Sequence, residues 1–450
     1  MTVQGILVRM GLAAVLFLIL IHALKRDIRY SGYFPDDLRN RIVGARLMKD
    51  GLDPYTNKWK KGDGFRYYDP TNFDSLTVSR VTVSPFFLHL LSPIADMPFS
   101  ALSLWWLALE YFAVAVLVAI ALWIARDATQ QWTVLVFAVL FLMTNAWKDH
   151  VLLGQNYILT TFLFALLFFC MRRGDTPLLG FVTGCCAACL VFTRINGLFF
   201  LLPFVFLLRA YSRQWKLAFC VAPLLLLGWT LLSPRERGLW QGYSYMLSEQ
   251  IRAHQGLPTH LQKNDPDPGF PYFEGIDYPA AEKARADEPD KFKVEHGNVF
   301  HLYEAVFKRR IPVPVLTGIC CGLIGLLFLL FFVRHRPFTA LSLEKTAFFG
   351  CCLYMISDLF SPVYRYQYPA VQWLFPLLLA AAVCKGEQRI ACWILLAGIL
   401  LNSWRVPLIR MPNTTGEMLF LIVLLTLSFM SAHRQGGFPK RGEKYCTSSG

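Results

Sequence analysis

Long apolar stretches alternate with short basic connections along most of this chain, and two of the gaps between them are long and polar. The runs Ala101–Ala125, Gln131–Trp147, Leu153–Met171 and Ile311–Val333 carry almost no charge. Each approaches the roughly 20 residues that a helix needs to cross a bilayer. No period-two alternation of any length suggests strands, and the bilayer core leaves helices as the expected spanning form. Spanning helices are predicted near residues 5–24, 100–124, 131–147, 153–171, 177–194, 196–211, 216–233, 311–333, 345–361, 368–384, 389–404 and 415–431. Gly5–Leu24 is followed by Lys25 and Arg26 and lacks a small-x-small cleavage site. It is expected to be a first span, with a signal peptide as the alternative. Thr82–Met97 is apolar but short, and it carries Pro85 and Pro93. It is expected to lie in the outer interface or to dip in from that side. The fold class is therefore an all-α polytopic membrane protein, a bundle of about 12 transmembrane helices with juxtamembrane helices and loops on the outer face.

Charge orients this arrangement. Alternate connections hold Arg126; Arg172 and Arg173; Arg209, Arg213 and Lys216; Arg334 and Arg336; Lys385 and Arg389; and the tail adds Arg434, Lys440, Arg441 and Lys444. The positive-inside rule puts these, with both termini, in the cytoplasm. The opposite side receives a first outer loop over 25–81, the interfacial segment 82–97 and a large outer loop over 234–310. Lys25, Arg26 and Lys308–Arg310 oppose this orientation, but long loops obey the rule poorly. One transmembrane domain over 1–433 and a basic cytoplasmic tail over 434–450 are expected.

Composition agrees: of 450 residues, 55% are hydrophobic, more than a soluble protein of this length would carry. The net charge of +14 points to anionic headgroups or a phosphorylated lipid as partners. Nucleic acid is not expected, since no basic helix, zinc spacing or aromatic RNA motif accompanies the charge. All cysteines except Cys446 lie in or beside apolar runs, so a disulfide in the polar loops is excluded.

Five polar groups gather at the outer helix ends: Asp36-Asp37; Lys148-Asp149-His150 with Gly154-Gln155-Asn156; Arg194-Ile195-Asn196; Ser361-Pro362 through Arg365-Tyr366-Gln367-Tyr368; and His296-Gly297-Asn298. Each alone has a plain alternative. Asp37 reads as a loop carboxylate, Gln155 and Asn156 as glue between helices, Arg194 and Arg365 as headgroup anchors. Together they place a carboxylate, two guanidiniums, amides and phenols on one face. Arginine binds phosphate through a planar fork, and a carboxylate accepts a proton from a sugar hydroxyl. That chemistry suits a membrane glycosyltransferase using a lipid-phosphate sugar. A transporter or flippase would instead show inverted repeats and charges at mid-membrane. A non-catalytic envelope assembly protein is the third alternative.

At these residues the chain resembles the GT-C membrane glycosyltransferases, and within them glycosyltransferase family 87, which includes polyprenyl-phosphate-mannose-dependent mannosyltransferases. The matching segments are Asp37 followed by Ala45-Arg46 and Gly51-Leu-Asp-Pro54-Tyr55; Tyr67-Tyr68-Asp69-Pro70; Ser84-Pro85 through Ser92-Pro93; Gly154-Gln155-Asn156; and Ser361-Pro362. The resemblance implies a GT-C-like bundle and an inverting transfer of a mannose-like hexose or a pentose. The donor would be a polyprenyl-phosphate sugar and the acceptor a lipid or glycan at the outer face, with a bacterial inner membrane facing the periplasm as the expected setting. It implies Asp37 as the base and Arg194 and Arg365 as donor-phosphate ligands. Gln155, Asn156, Asn196, Tyr366 and Gln367 would contact substrate, with Asp36, Arg39, Lys148, His150 and His296 in support. Arg194 stands where relatives commonly have Lys. Gln367 and Tyr368 stand where they often have His, whose role would pass to His296 or His150. No cofactor is required, although Asp36, Asp37 and Asp69 leave a divalent cation open.

Overall fold

The computed structural model describes residues 3–33, 35–69, 81–260, 262–270, 272–273, 276–287, 297–338, 341–404, 409 and 411–430. His296, residues 70–80 of the first outer loop and the tail 434–450 lie outside the described residues. The chain runs through α1 (Val3–Ser31), α2 (Asp36–Lys49), α3 (Pro85–Leu91), α4 (Phe99–Ile124), α5 (Ala128–Phe141), α6 (Asn145–Leu153), α7 (Tyr157–Arg173), α8 (Pro177–Thr193) and α9 (Gly197–Leu201). It continues through α10 (Arg213–Leu232), α11 (Pro234–His254), α12 (Tyr278–Asp287), α13 (Val299–Phe307), α14 (Val313–His335), α15 (Leu343–Leu359), α16 (Leu374–Val383), α17 (Arg389–Ser403) and α18 (Pro412–Phe429). Among the described residues the only sheet is a two-stranded antiparallel pair, Tyr272–Phe273 with Ile276–Asp277.

A helix or a helix pair stands at each predicted span, but they are unequal. α1, α4, α10, α14 and α18 are long and apolar enough to cross a membrane unaided. A sixth span arises if α5 and α6, bent by 55° at their junction, count as one. Length and composition therefore support five or six spans, and the expected twelve are not established. α9 continues as a 3-10 turn over Leu202–Ala210, and a 3-10 turn over Tyr368–Trp373 precedes α16. The α5–α6 bend has a local cause. Thr144 caps α6 by accepting from the backbone N–H of Trp147 at 3.2 Å, which restarts the helix in a new direction. α6 then meets α1, where Trp147 Nε1 donates to Asp27 at 2.6 Å.

Packing follows side-chain size. Gly180 and Gly184 on α8 face α10 so closely that an added Cβ would lie 2.4 Å from the Trp215 carbonyl oxygen and 2.1 Å from that of Phe219. This is the small-xxx-small contact that lets two membrane helices touch backbone to backbone. α15 and α16 are buried along nearly their whole length and form the centre of the bundle. α10 buries only Trp215 and leaves Leu224, Leu225 and Leu232 exposed, as a lipid-facing rim helix does.

The polar contacts sort to two ends. At one, Arg172 pairs with Glu344, Asp175 accepts from the Ser212 N–H at 2.8 Å, and Gln130 meets the Cys384 carbonyl. At the other lie α2, α3, α6 and the 361–368 loop. Here a separate apolar core joins Leu38, Ile42, Met48, Tyr55, Phe87, Leu91, Trp106, Leu239 and Met246. Thr82–Met97 forms only α3 and a 3-10 turn over Ser92–Ile94. α3 is largely buried, against α2, α8 and α11.

Candidate functional site

The site is built on α2. This helix is polar in sequence, yet every residue from Leu38 to Met48 is buried. It packs against α3 and α6, and its arginines find partners in different directions. Arg39 Nε donates to Asp69 at 2.9 Å, and its Nη2 lies 3.6 Å from Asp36. Arg46 Nε donates to the Ala95 carbonyl at 2.7 Å. Arg41 is one turn beyond Asp37 and so shares its face.

Gly154 brings α6 to this face. It ends α6 in the left-handed conformation, φ 61° and ψ 49°, and a Cβ there would lie 2.6 Å from Leu38 Cβ and 2.8 Å from Pro35 Cβ. Both the backbone angle and the close approach demand glycine. The next residue, Gln155, then turns toward α2. Its Nε2 donates to Asp37 Oδ2, its Oε1 accepts from Arg41 Nη2 at 2.6 Å, and its carbonyl accepts from Trp106 Nε1 at 3.1 Å. Arg41 Nη1 donates to the Gly154 carbonyl at 2.9 Å. Asp37 is half-buried, and Asn40 Nδ2 approaches its other oxygen at 3.4 Å. Burial lowers the Arg41 pKa from the usual arginine range, while Asp37, Tyr157 and Tyr368 act to raise it.

Arg194 ends α8 in an extended conformation and completes this group. Its Nη2 donates to the Tyr157 hydroxyl at 2.7 Å and its Nη1 to the Tyr354 hydroxyl at 3.1 Å. Its guanidinium carbon lies 4.0 Å from the Tyr157 ring centroid, a cation–π contact. Tyr157 and Tyr368 rings stand 5.3 Å apart, and Tyr366 stacks on Tyr368 at 5.5 Å. Asp37, Gln155, Arg194 and Tyr366 are thus brought together, joined by Arg41, Tyr157, Tyr354 and Tyr368.

The other candidates fall in adjoining clusters. Arg365 is buried and holds Glu417 with both terminal nitrogens at 2.9 Å, while its Nε donates to Asp358 at 2.5 Å. Trp373 Nε1 adds a third bond to Glu417 at 3.0 Å. Two carboxylates already balance this guanidinium. It ties the 361–368 loop to α15 and α18, and Asn298 Nδ2 holds the same loop at the Ser361 and Val363 carbonyls. Gln367 donates to Asp149 and accepts from Asn413, both at 2.5 Å, and Lys148 reaches Asn145 at 3.4 Å. Asn156 is buried at the start of α7, and Asn196 stands at the start of α9. Among the described residues the His150 ring is hydrogen-bonded at Nε2 alone. Nε2 accepts from the Ile158 N–H at 3.2 Å, so Nδ1 carries the proton, and Nδ1 lies 3.3 Å from Glu110. Among the described residues no group of three or more His, Cys, Asp or Glu could hold a metal ion.

Several of these partners had a signal in the sequence. Asp27, Glu110, Asp358 and Glu417 are ionisable residues inside or beside apolar runs, which by default mark a structural or functional requirement. Arg41 had the one-turn spacing to Asp37.

Residues 82–263 match the family model of glycosyltransferase family 87. The matched segment includes Gln155, Asn156 and Arg194 and ends before the 361–368 loop; Asp37 and Arg41 precede it. No curated protein and no solved structure matches the chain.

Proposed function

We propose that the chain is a membrane glycosyltransferase of family 87, whose model matches residues 82–263, and that it transfers a sugar, a mannose-like hexose or a pentose, from a polyprenyl-phosphate donor to a lipid or glycan acceptor. The observation that carries this reading is Asp37, a half-buried carboxylate oriented by Gln155, on the same side-chain cluster as an arginine, Arg194, that no carboxylate ion-pairs among the described residues. A base and an anion-binding cation so placed suit the two ends of one displacement. Asp37 takes the proton of the acceptor hydroxyl as its oxygen attacks the anomeric carbon. The bond to the donor phosphate breaks on the opposite side, and Arg194 stabilises the charge that develops there. Attack from the face opposite the phosphate inverts the anomeric configuration. Tyr366 and Tyr368 offer a stacking wall to the sugar. Arg365 has a positioning role, since Glu417 and Asp358 already neutralise it. The polyprenyl tail lies in the membrane among the rim helices.

A transfer assay tests this. The purified chain in lipid nanodiscs, given radiolabelled polyprenyl-phosphate-mannose and a lipid extract as acceptor source, should move label into the acceptor and release polyprenyl phosphate. Transfer from a nucleotide sugar with none from the lipid donor would overturn the reading.

The site is proposed to face the outside of a bacterial inner membrane, from the basic short loops at the other end. In a cysteine-free background, Gln262→Cys is expected to react with an impermeant thiol reagent on intact cells and Glu387→Cys to stay unlabelled. Both positions are exposed. The reverse pattern would turn the site to the cytoplasm.

A further inference from the structure

We infer that Arg41 is the second cation of the phosphate cradle, so that Arg41 and Arg194, and not Arg365, hold the phosphate of the lipid-linked donor. This rests on the lipid-phosphate reading above and assigns its binding group.

Three observations lead there. The Arg41 side chain is buried, with 4% of the residue exposed, and among the described residues its hydrogen bonds go to neutral groups, the Gly154 carbonyl and the Gln155 amide oxygen. Its Nε is buried without a hydrogen-bond partner. An unmet donor on a charged group is costly, and a phosphate oxygen is the strong acceptor that would meet it. Second, Arg194 is held by two phenols and a ring face, with no carboxylate in hydrogen-bond or ion-pair contact among the described residues. Arg365 and Arg39 show the contrast, each paired with carboxylates. Third, Asp37, Tyr157, Tyr368 and Arg194 all act electrostatically on Arg41, so the two guanidiniums share one neighbourhood with the base.

The charges balance through the reaction. Before transfer, the Asp37 carboxylate and the phosphodiester each carry a single negative charge, against two guanidiniums. The acceptor oxygen forms its bond to the anomeric carbon, the proton passes to Asp37, and the electron pair of the broken carbon–oxygen bond goes to the phosphate. Asp37 is then neutral and the leaving phosphomonoester approaches a double negative charge. The sum around the two arginines is the same at both ends. With one arginine the product state would keep an uncompensated charge in a buried site, which low-dielectric surroundings penalise.

The test is a binding titration of the full chain in phosphatidylcholine nanodiscs. The probes are a short polyprenyl monophosphate, its monomethyl ester, the matching alcohol and inorganic phosphate, and a parallel series uses discs containing phosphatidylglycerol. The wild type should prefer the monophosphate over its methyl ester and over the alcohol, with inorganic phosphate weaker, in both kinds of disc. Arg41→Gln should weaken monophosphate binding by about tenfold or more and remove most of the preference over the ester. Arg41→Lys keeps the charge but lacks Nε, and should recover only part of it. If Arg41→Gln melts well below the wild type, the ester preference of Arg41→Lys decides the matter. Unchanged affinity and preference in both variants, with both lost in Arg194→Gln, would overturn the assignment and leave the lipid-phosphate reading standing. A wild type that binds alcohol and monophosphate equally would overturn both. Loss of the preference in phosphatidylglycerol discs would show that the two arginines hold an ordinary headgroup, which also overturns it.

Discussion

Asp37→Asn is expected to lower sugar transfer by about a hundredfold or more, the range that a lost general base covers, while the protein folds and still binds its donor. Asparagine keeps the size and the contact with Gln155 but cannot take a proton. It also removes the negative charge that acts on Arg41, so donor affinity should hold or tighten as turnover falls. That split separates a lost base from a damaged site, because damage weakens both. Asp36→Asn is the control: Asp36 sits beside Arg39 on the far side of the first turn, and transfer should stay within a few-fold of wild type. Near-normal transfer by Asp37→Asn, measured with saturating donor, would remove Asp37 from the mechanism.

The second large effect concerns stability. Arg365→Gln leaves the Glu417 and Asp358 carboxylates buried without their cation, and breaking such a pair costs about 3–5 kcal/mol. Thermal unfolding in detergent should show a much lowered transition or little folded protein. Arg365→Lys should recover less than half of the loss, since a single ammonium cannot replace the bidentate bond to Glu417 and the Nε bond to Asp358 together. Arg365→Gln combined with Glu417→Gln should cost less than the two single changes summed, because each single change leaves the other partner uncompensated. An Arg365→Gln protein that melts like the wild type yet binds donor poorly would return this arginine to the phosphate, where the sequence first placed it.

The contrast between these arginines marks what the sequence could and could not tell. Arg194 and Arg365 look alike in the chain: each stands at the edge of an apolar run, and either reads as phosphate ligand or headgroup anchor. Arg365 differs only because Glu417, 52 residues further on, comes to lie across from it. Arg41 stands one turn from Asp37 in the sequence, but its site partners Gly154 and Gln155 are 113 and 114 residues away. Charge compensation is a property of pairs, so reading one residue at a time cannot reveal it. The same limit applies to His150, which the sequence offers as a helper to the site and the fold pairs with Glu110 and the Ile158 N–H.

The sequence by itself determined where the helices run. Helix position follows from local hydropathy, because a membrane helix satisfies its own backbone and needs little from elsewhere. Caps such as Thr144, Thr176 and Ser342, and the left-handed Gly154, are equally local. The tertiary structure decided the rest: that Pro85–Leu91 is a largely buried short helix, that α5 and α6 bend toward α1, that the polar α2 is buried from Leu38 to Met48, and which guanidiniums are set against carboxylates. The physical reason is burial. A bilayer-length apolar run states its own environment, but the cost of a buried charge depends on what the fold sets against it, and only packing of distant segments supplies or withholds that partner.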